Sequence, residues 1–86
     1  MHEFSLAGEV IRIAEKEAEK HSALSVTEIT IQVGKFSGVE TEAFNEALKI
    51  VAEGTIMANA SVNIARTSGK EFRVLSVVIE QNDADV

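Results

Sequence analysis

Apolar side chains follow two different periods along this chain, and the alternation of those periods limits the folds that it can adopt. In two segments they recur every three or four residues, which predicts amphipathic helices with one buried stripe. In three others, apolar and β-branched residues alternate with polar ones, which predicts strands. The predicted elements are helices at 4–21 and 41–53 and strands at 25–33, 61–66 and 71–80.

Residues at the ends of these segments predict where the elements stop and how they connect. Ser5 is the predicted N-cap of the first helix, and Gly54 ends the second helix as a C-terminal cap. The last two strands are separated only by the turn 67–70. A connection this short predicts that these two strands form a hairpin.

The last strand changes its apolar pattern in the middle. Phe72 and Val74 share one face, whereas simple alternation puts Val77 and Ile79 on the other. This change predicts either a bulge or a strand covered on both faces. Two amphipathic helices need an apolar surface, and one face of a three-stranded sheet supplies it. The predicted fold is therefore α+β, with two amphipathic helices packed on one face of a three-stranded sheet in the order α-β-α-β-β.

Length and charge narrow the function classes. The chain has 86 residues and a net charge of -6, which predicts one small domain at 1–80 and a disordered acidic tail at 81–86. Nucleic-acid and anionic-membrane partners are not expected, because both need a basic surface. The charged first twenty residues do not fit a signal peptide, and no apolar run reaches the length of a membrane span. A cytoplasmic location is expected.

The start of the chain is the main candidate for chemistry, because the sequence contains no cysteine and only two histidines. Met1, His2 and Glu3 put an α-amine, an imidazole, two backbone nitrogens and a carboxylate within reach of one ion. A nitrogen set of this kind suits Ni(II) or Cu(II) better than zinc or magnesium, and the sequence leaves nickel and copper open. Both the amine and the imidazole must lose protons to bind, so weak acid should release the metal.

Three stretches of the chain resemble the HypA-type family of hydrogenase and urease nickel-insertion accessory proteins. They are MHEFSLA at 1–7, QVGKFSGVETEAF at 32–44 and SGKEFRVLSVVIE at 68–80. The resemblance implies a nickel-binding domain whose metal ligands are Met1, His2 and Glu3. It also points to Glu40 near the metal, although an acidic residue at a helix start complements the helix dipole without any metal.

The resemblance further implies a metallochaperone rather than an enzyme, with Ni(II) as transient cargo. The implied partners are a GTPase and a hydrogenase or urease precursor. Members of this family carry a zinc module with two Cys-x-x-Cys pairs between the last two strands. That module is missing here, so no zinc is expected. The alternative is a metal-free interaction adaptor derived from the same family, and the sequence leaves a homodimer open.

Overall fold

The computed structural model of this protein describes residues 2–81 and contains five elements. They are α1 (His2–Lys20), β1 (Ala23–Gly34), α2 (Thr41–Ala52), β2 (Ser61–Thr67) and β3 (Phe72–Gln81). The predicted α+β class and the order α-β-α-β-β are confirmed. The predicted boundaries lie within two residues of the observed ones.

Both ends of the chain differ from the prediction in detail. Helix α1 already begins at His2, so Ser5 lies within its first turn, and the N-cap prediction for Ser5 is wrong. The apolar stripe could not predict that the helix begins at His2, because neither His2 nor Glu3 belongs to the stripe. At the other end, Gln81 is the last residue of β3, and its side chain donates a hydrogen bond to the His21 carbonyl oxygen at 3.0 Å. The rest of the predicted tail, 82–86, lies outside the described residues.

The strand order of the sheet is β2-β1-β3, so the predicted hairpin of β2 and β3 is wrong. Strand β1 lies between them, parallel to β2 and antiparallel to β3. The parallel pairing follows from the chain, because α2 connects β1 to β2 and provides the long crossover that parallel strands need. Strand β3 therefore pairs with the other side of β1.

A link of four residues, 68–71, carries the chain from β2 to β3 past the end of β1. Gly34 makes this crossing feasible. A Cβ atom at Gly34 would collide with the Gly69 carbonyl group and lie 2.9 Å from the Glu71 nitrogen. The Gly34 N–H group also donates to the Glu71 carbonyl oxygen at 2.6 Å. Only a residue without a side chain allows two backbone segments to approach this closely.

Strand β3 contains the predicted bulge. The pairing shifts between Thr30 opposite Ser76 and Ile31 opposite Val74, which leaves Leu75 as the extra residue. The extra residue returns the later apolar side chains of β3 to the helix side of the sheet, where they pack on the core. The half-buried residues of β3 on that side are Phe72, Val74, Val77 and Ile79.

The core lies between the two helices and one face of the sheet. Its largest fully buried side chains are Phe44, Ile29, Ile31, Val10 and Val26. Phe44 meets Phe72 edge to face, with ring centroids 5.2 Å apart. The aromatic residues do not all serve this core, since Phe36 is 65% exposed and Phe4 is 40% exposed. Within the described residues, neither helix has the length and hydropathy needed to cross a bilayer.

Candidate metal site at the start of helix α1

The starts of the two helices and the end of strand β1 lie toward the same end of the protein. Helix α1 and strand β1 are joined by a two-residue turn, so they run in opposite directions and the start of α1 lies toward the end of β1. Helix α2 follows β1 after a short loop, and its first turn therefore lies at the same end. The predicted site residues His2, Glu3 and Glu40 share this end of the fold, and the link 68–71 crosses it.

His2 and Glu3 are the first two residues of α1, with His2 exposed and Glu3 half-buried. Met1 lies outside the described residues. The first N–H groups of any helix have no carbonyl partner within that helix. The backbone nitrogens of His2 and Glu3 therefore belong to the least committed main-chain groups of α1. The local structure leaves them available to a ligand.

The helix dipole sets the electrostatics of this position. The N-terminus of a helix carries a partial positive charge, which disfavours a cation and favours an anion. Glu3 supplies a negative charge in the first turn. A backbone amide that loses its proton to bind a metal supplies a further negative charge. Ligands that become anionic or are already so can thus offset the unfavourable effect of the dipole on a divalent cation.

Glu40 is the N-cap of α2. One of its carboxylate oxygens accepts a hydrogen bond from the Ala43 N–H group at 2.8 Å, and its backbone φ and ψ angles are -87° and 112°. Its carbonyl oxygen accepts from the Phe44 N–H group at 2.9 Å. The first contact satisfies a donor of the first turn of α2 that otherwise has no partner, and the second is the first regular hydrogen bond of the helix. The structure thus gives Glu40 a structural task at the end of the protein that also holds His2.

The exposed aromatic residue Phe36 lies at this same end, and hydrogen bonds hold the backbone on which it is carried. Lys35 N–H donates to the Thr67 carbonyl oxygen at 2.8 Å, and Phe36 N–H donates to the Gly69 carbonyl oxygen at 2.8 Å. The Lys35 ammonium group lies 5.6 Å from the centroid of the Phe36 ring. The position of Phe36 in the loop after β1, next to a lysine, is the signal in the sequence for its exposure.

In the link 68–71, the pKa of the Glu71 carboxyl group is lowered. Its pKa lies below the ordinary 4.5, mainly because its carboxylate accepts a hydrogen bond from its own backbone N–H group and another from Thr67. The positive charge of Arg73 lowers this pKa further. The carboxylate therefore helps to fix the conformation of the link.

Metal-binding side chains do not gather at any one place in the described part of the chain, so the structure does not bring His2, Glu3 and Glu40 into one cluster. Within residues 2–81, no three or more His, Cys, Asp or Glu side chains are grouped closely enough to hold an ion. The predicted site differs from such a cluster, because it draws most of its ligands from the main chain.

Comparison with known sequences confirms the resemblance seen in the three motifs. The family model described as hydrogenase/urease nickel incorporation, metallochaperone, HypA matches residues 1–78. The hydrogenase maturation factor HypA of Cupriavidus necator is 36% identical over 72 residues, which are 84% of this chain and 60% of that protein. The factor of the same name from Deinococcus radiodurans is 38% identical over 69 residues, 80% of this chain and 58% of that protein. The chain thus spans about three-fifths of the length of these curated relatives.

Comparison with solved structures confirms the fold. The solution structure of the Ni metallochaperone HypA from Helicobacter pylori matches with a TM-score of 0.83 at 17% identity, covering 93% of this chain and 98% of that one. A second solution structure of a HypA protein matches with a TM-score of 0.78 at 19% identity, covering 92% and 96% of the two chains. At these identities the likeness concerns the arrangement of helices and strands.

Proposed function

The chain belongs to the HypA family of hydrogenase and urease nickel-incorporation metallochaperones, and on that premise we propose that it binds Ni(II) at its N-terminus and delivers it to a metalloenzyme precursor. The proposed ligands are the Met1 amine, the His2 imidazole and backbone nitrogen, and the backbone nitrogen of Glu3. The Glu3 carboxylate adds negative charge beside the ion. The proposed clients are hydrogenase or urease precursors, in the cytoplasm.

The observation that carries this proposal is the position of His2 as an exposed side chain at the very start of α1. Its backbone nitrogen has no hydrogen-bond partner within the helix. A nitrogen ligand set of this kind suits Ni(II) or Cu(II) in a square or tetragonal geometry. Wrapping these groups around one ion requires the first turn of α1 to leave helical geometry. Because only one turn at a helix end changes, the core beneath it stays packed.

Delivery follows from the same position. Ligands on an exposed first turn can be replaced one at a time by those of an acceptor, and no covalent bond of a substrate is made or broken. We therefore propose that the protein acts by metal transfer and not as an enzyme. Because amine, imidazole and amide nitrogens all lose protons on binding, falling pH releases the metal.

The partner surface in this proposal is the area around Phe36, at the same end as His2. Phe36 is 65% exposed on a backbone that is hydrogen-bonded to the link. Three basic residues are near it in the chain or across the link. Lys35 precedes Phe36, Arg66 lies near the end of β2, and Lys70 lies in the link. Rigid aromatic side chains with basic neighbours are typical of binding hot spots. A GTPase or a client precursor that contacts this surface would stand next to the metal.

The proposal includes no zinc site. The link 68–71 joins β2 and β3 at the position where, by the resemblance, other members of the family carry the zinc module, and the given sequence has no cysteine to build one. We propose that this chain carries no zinc. Recognition that depends on the zinc module in other members would then be absent here.

Calorimetric titration of Ni(II) into protein with a native, untagged Met1 tests the proposal. We expect one equivalent of nickel to bind, and we expect His2→Ala to lower the affinity at least about a hundredfold, or about 2.7 kcal/mol. The matched control is His21→Ala, because His21 is the other histidine and lies at the opposite end of α1, beside Glu17. Equal loss in both variants, or none in His2→Ala, would contradict the proposal.

The metal-free adaptor is the second candidate, and the exposed Phe36 favours it, because that surface needs no metal. A native chain that binds neither nickel nor copper but binds a purified family GTPase through Phe36 would establish the adaptor. Tight copper binding with weak nickel binding at His2 would keep the site and change its cargo.

A further inference from the structure

Strand β2 is one edge of the sheet, and its outer side pairs with no other strand of residues 2–81. Natural proteins protect such edges with bulges, prolines or several charged side chains. Strand β2 keeps a regular register with β1 and contains no proline, and Arg66 is its only charged residue. The unpaired main-chain groups of β2 are therefore open to another extended segment.

A groove runs along this edge, between β2 and helix α2. Val62, Ile64 and Arg66 occupy alternate positions of β2, so their side chains share the helix side of the sheet. Val62 and Ile64 pack against the core. The Arg66 guanidinium donates a hydrogen bond to the Thr41 hydroxyl at 3.3 Å. Because Thr41 is the first residue of α2, Arg66 lies at one end of the groove.

A surface cavity of about 260 Å³ forms the other end of the groove, at the start of β2. Its lining is mostly apolar and includes Leu48, Met57 and Val62, while Asn45 and Lys49 add polar groups from α2. An apolar cavity of about 150 Å³ holds a benzene ring. The cavity beside Val62 therefore has room for one large apolar side chain.

The positive charge at the Arg66 end of the groove is not compensated. No acidic side chain of residues 2–81 forms an ion pair with Arg66, and its partner Thr41 is neutral. Lys49, at the cavity end, already lies 3.8 Å from the Glu46 carboxylate. A segment in the groove therefore gains most from an acidic residue beside Arg66, because arginine binds a carboxylate through two parallel hydrogen bonds.

We propose that an extended segment of a partner protein adds to the sheet along β2, with an apolar residue in the cavity and an acidic residue beside Arg66. Side chains on one face of a strand recur at every second position. Val62 and Arg66 are four positions apart, so the two residues of the partner segment are four positions apart as well. Main-chain bonds to β2 supply affinity, and the two side chains supply specificity.

A second copy of this chain does not carry the required pattern on either edge strand. Strand β2 contains no acidic residue. Two β2 strands paired antiparallel about Ile64 would put Arg66 of one copy against the apolar cavity of the other. In β3 the acidic residue is Glu80, and the residue four positions before it is the polar Ser76. The occupant is therefore a different protein.

NMR titration of the isotope-labelled, nickel-free chain with synthetic peptides tests the proposal. Two threonine-rich peptides carry a leucine and a glutamate four positions apart, one in each order, because a segment can run parallel or antiparallel to β2. We expect one of them to shift the amide signals of residues 61–67 and to leave those of β3 in place. A control peptide with the two residues three positions apart should bind about tenfold more weakly, since an odd separation puts them on opposite faces.

Two variants of the chain locate the contacts. Arg66→Glu should weaken the better peptide about tenfold or more and should instead prefer a peptide with lysine in place of the glutamate. Arg73→Glu, which reverses an exposed arginine of β3, is the matched control and should change nothing. Ala58→Leu fills the cavity from an exposed position and should abolish binding, so the test holds even where Arg66→Glu does not fold.

Three results would overturn the proposal. The first is the absence of any shift at residues 61–67 with both peptides at millimolar concentration. The second is equal binding of the control peptide. The third is binding that neither Arg66→Glu nor Ala58→Leu changes. None of these results bears on nickel binding at His2, because the chain is titrated without metal.

Discussion

The first turn of α1 and the link 68–71 lie at the same end of the protein but are held in different ways. His2 opens α1 as an exposed residue. In contrast, Glu71 and Gly69 of the link accept hydrogen bonds from the backbone N–H groups of Gly34 and Phe36, and Thr67 at the end of β2 accepts one from Lys35. A segment with few buried contacts unfolds locally at a low cost in free energy. A segment held by several backbone hydrogen bonds unfolds at a cost closer to that of the whole domain. The proposed metal ligands thus lie on the first turn of α1, which can rearrange. The proposed docking surface around Phe36 lies on backbone bonded to the link 68–71, which resists rearrangement.

This contrast separates two properties that a delivery protein needs. Ligands must adopt one geometry with the metal and another without it. The surface that a partner contacts must not change when the metal leaves. Placing the two on adjacent segments with different local stability allows both. Substitutions in the link should therefore change the free energy of unfolding, and substitutions in the first turn of α1 should change nickel affinity.

The largest effect on stability is expected for Gly34→Ala. The new Cβ would meet backbone atoms of Gly69 and Glu71, and neither can move without breaking the hydrogen bonds of the link. We expect a loss of about 3 kcal/mol in the free energy of unfolding, measured by urea denaturation. The protein that remains folded should still bind one equivalent of nickel.

The control for that substitution is Gly8→Ala in α1. A Cβ at Gly8 has no neighbouring atom within 4 Å, and alanine is the better helix former. We expect a gain of roughly 0.5 to 1 kcal/mol. Equal destabilisation by both substitutions would mean that the close approach at Gly34 is not what holds the link.

A smaller effect is expected for Glu40→Ala. Loss of the bond from Ala43 N–H to the Glu40 carboxylate should lower the free energy of unfolding by about 1 kcal/mol. Nickel affinity should change by less than about threefold, because that carboxylate already caps α2. A decrease in nickel affinity as large as that of His2→Ala would instead make Glu40 a ligand, as the family resemblance suggested.

The smallest effect is expected from Glu71 and depends on pH. Its folded-state pKa is lowered, so its carboxylate stabilises the fold fully at pH values above the ordinary 4.5 and loses that contribution as the pH falls through the folded-state value. Wild type should therefore exceed Glu71→Gln in stability at neutral pH, and the difference should close below about pH 4.5. Thermal unfolding of both chains across this range measures it. A difference that stays constant with pH would contradict this role of the carboxylate.

The fold could be predicted because each element carries its own local pattern. The periods of three to four and of two fixed the type and order of all five elements, and the parity change in β3 predicted its bulge. Which strands pair with each other in the sheet could not be predicted from these local patterns. The link between β2 and β3 has the length of a hairpin turn, and the contact that excludes a hairpin joins Gly34 to Gly69, 35 positions apart. The helix between β1 and β2 was the available signal for their parallel pairing.

The proposed site could be derived from the sequence only where its chemistry is local. Met1, His2 and Glu3 are consecutive, so their candidate ligand atoms are close in the sequence whatever the fold. Glu40 needed the structure, because only the bond to Ala43 distinguishes a helix cap from a residue free to approach a metal. Phe36 needed it as well, since its exposure depends on how the link holds the loop after β1.

The most direct test of the account follows the backbone amides by NMR while nickel is added to the native chain. We expect the signals of His2 and Glu3 to disappear as their nitrogens bind the metal, and those of the rest of the first turn of α1 to shift. The amides of Gly34, Lys35 and Phe36 should stay where they are. Unchanged signals in the first turn with one equivalent of nickel bound, or large shifts at 34–36, would contradict a mobile metal site on a fixed frame.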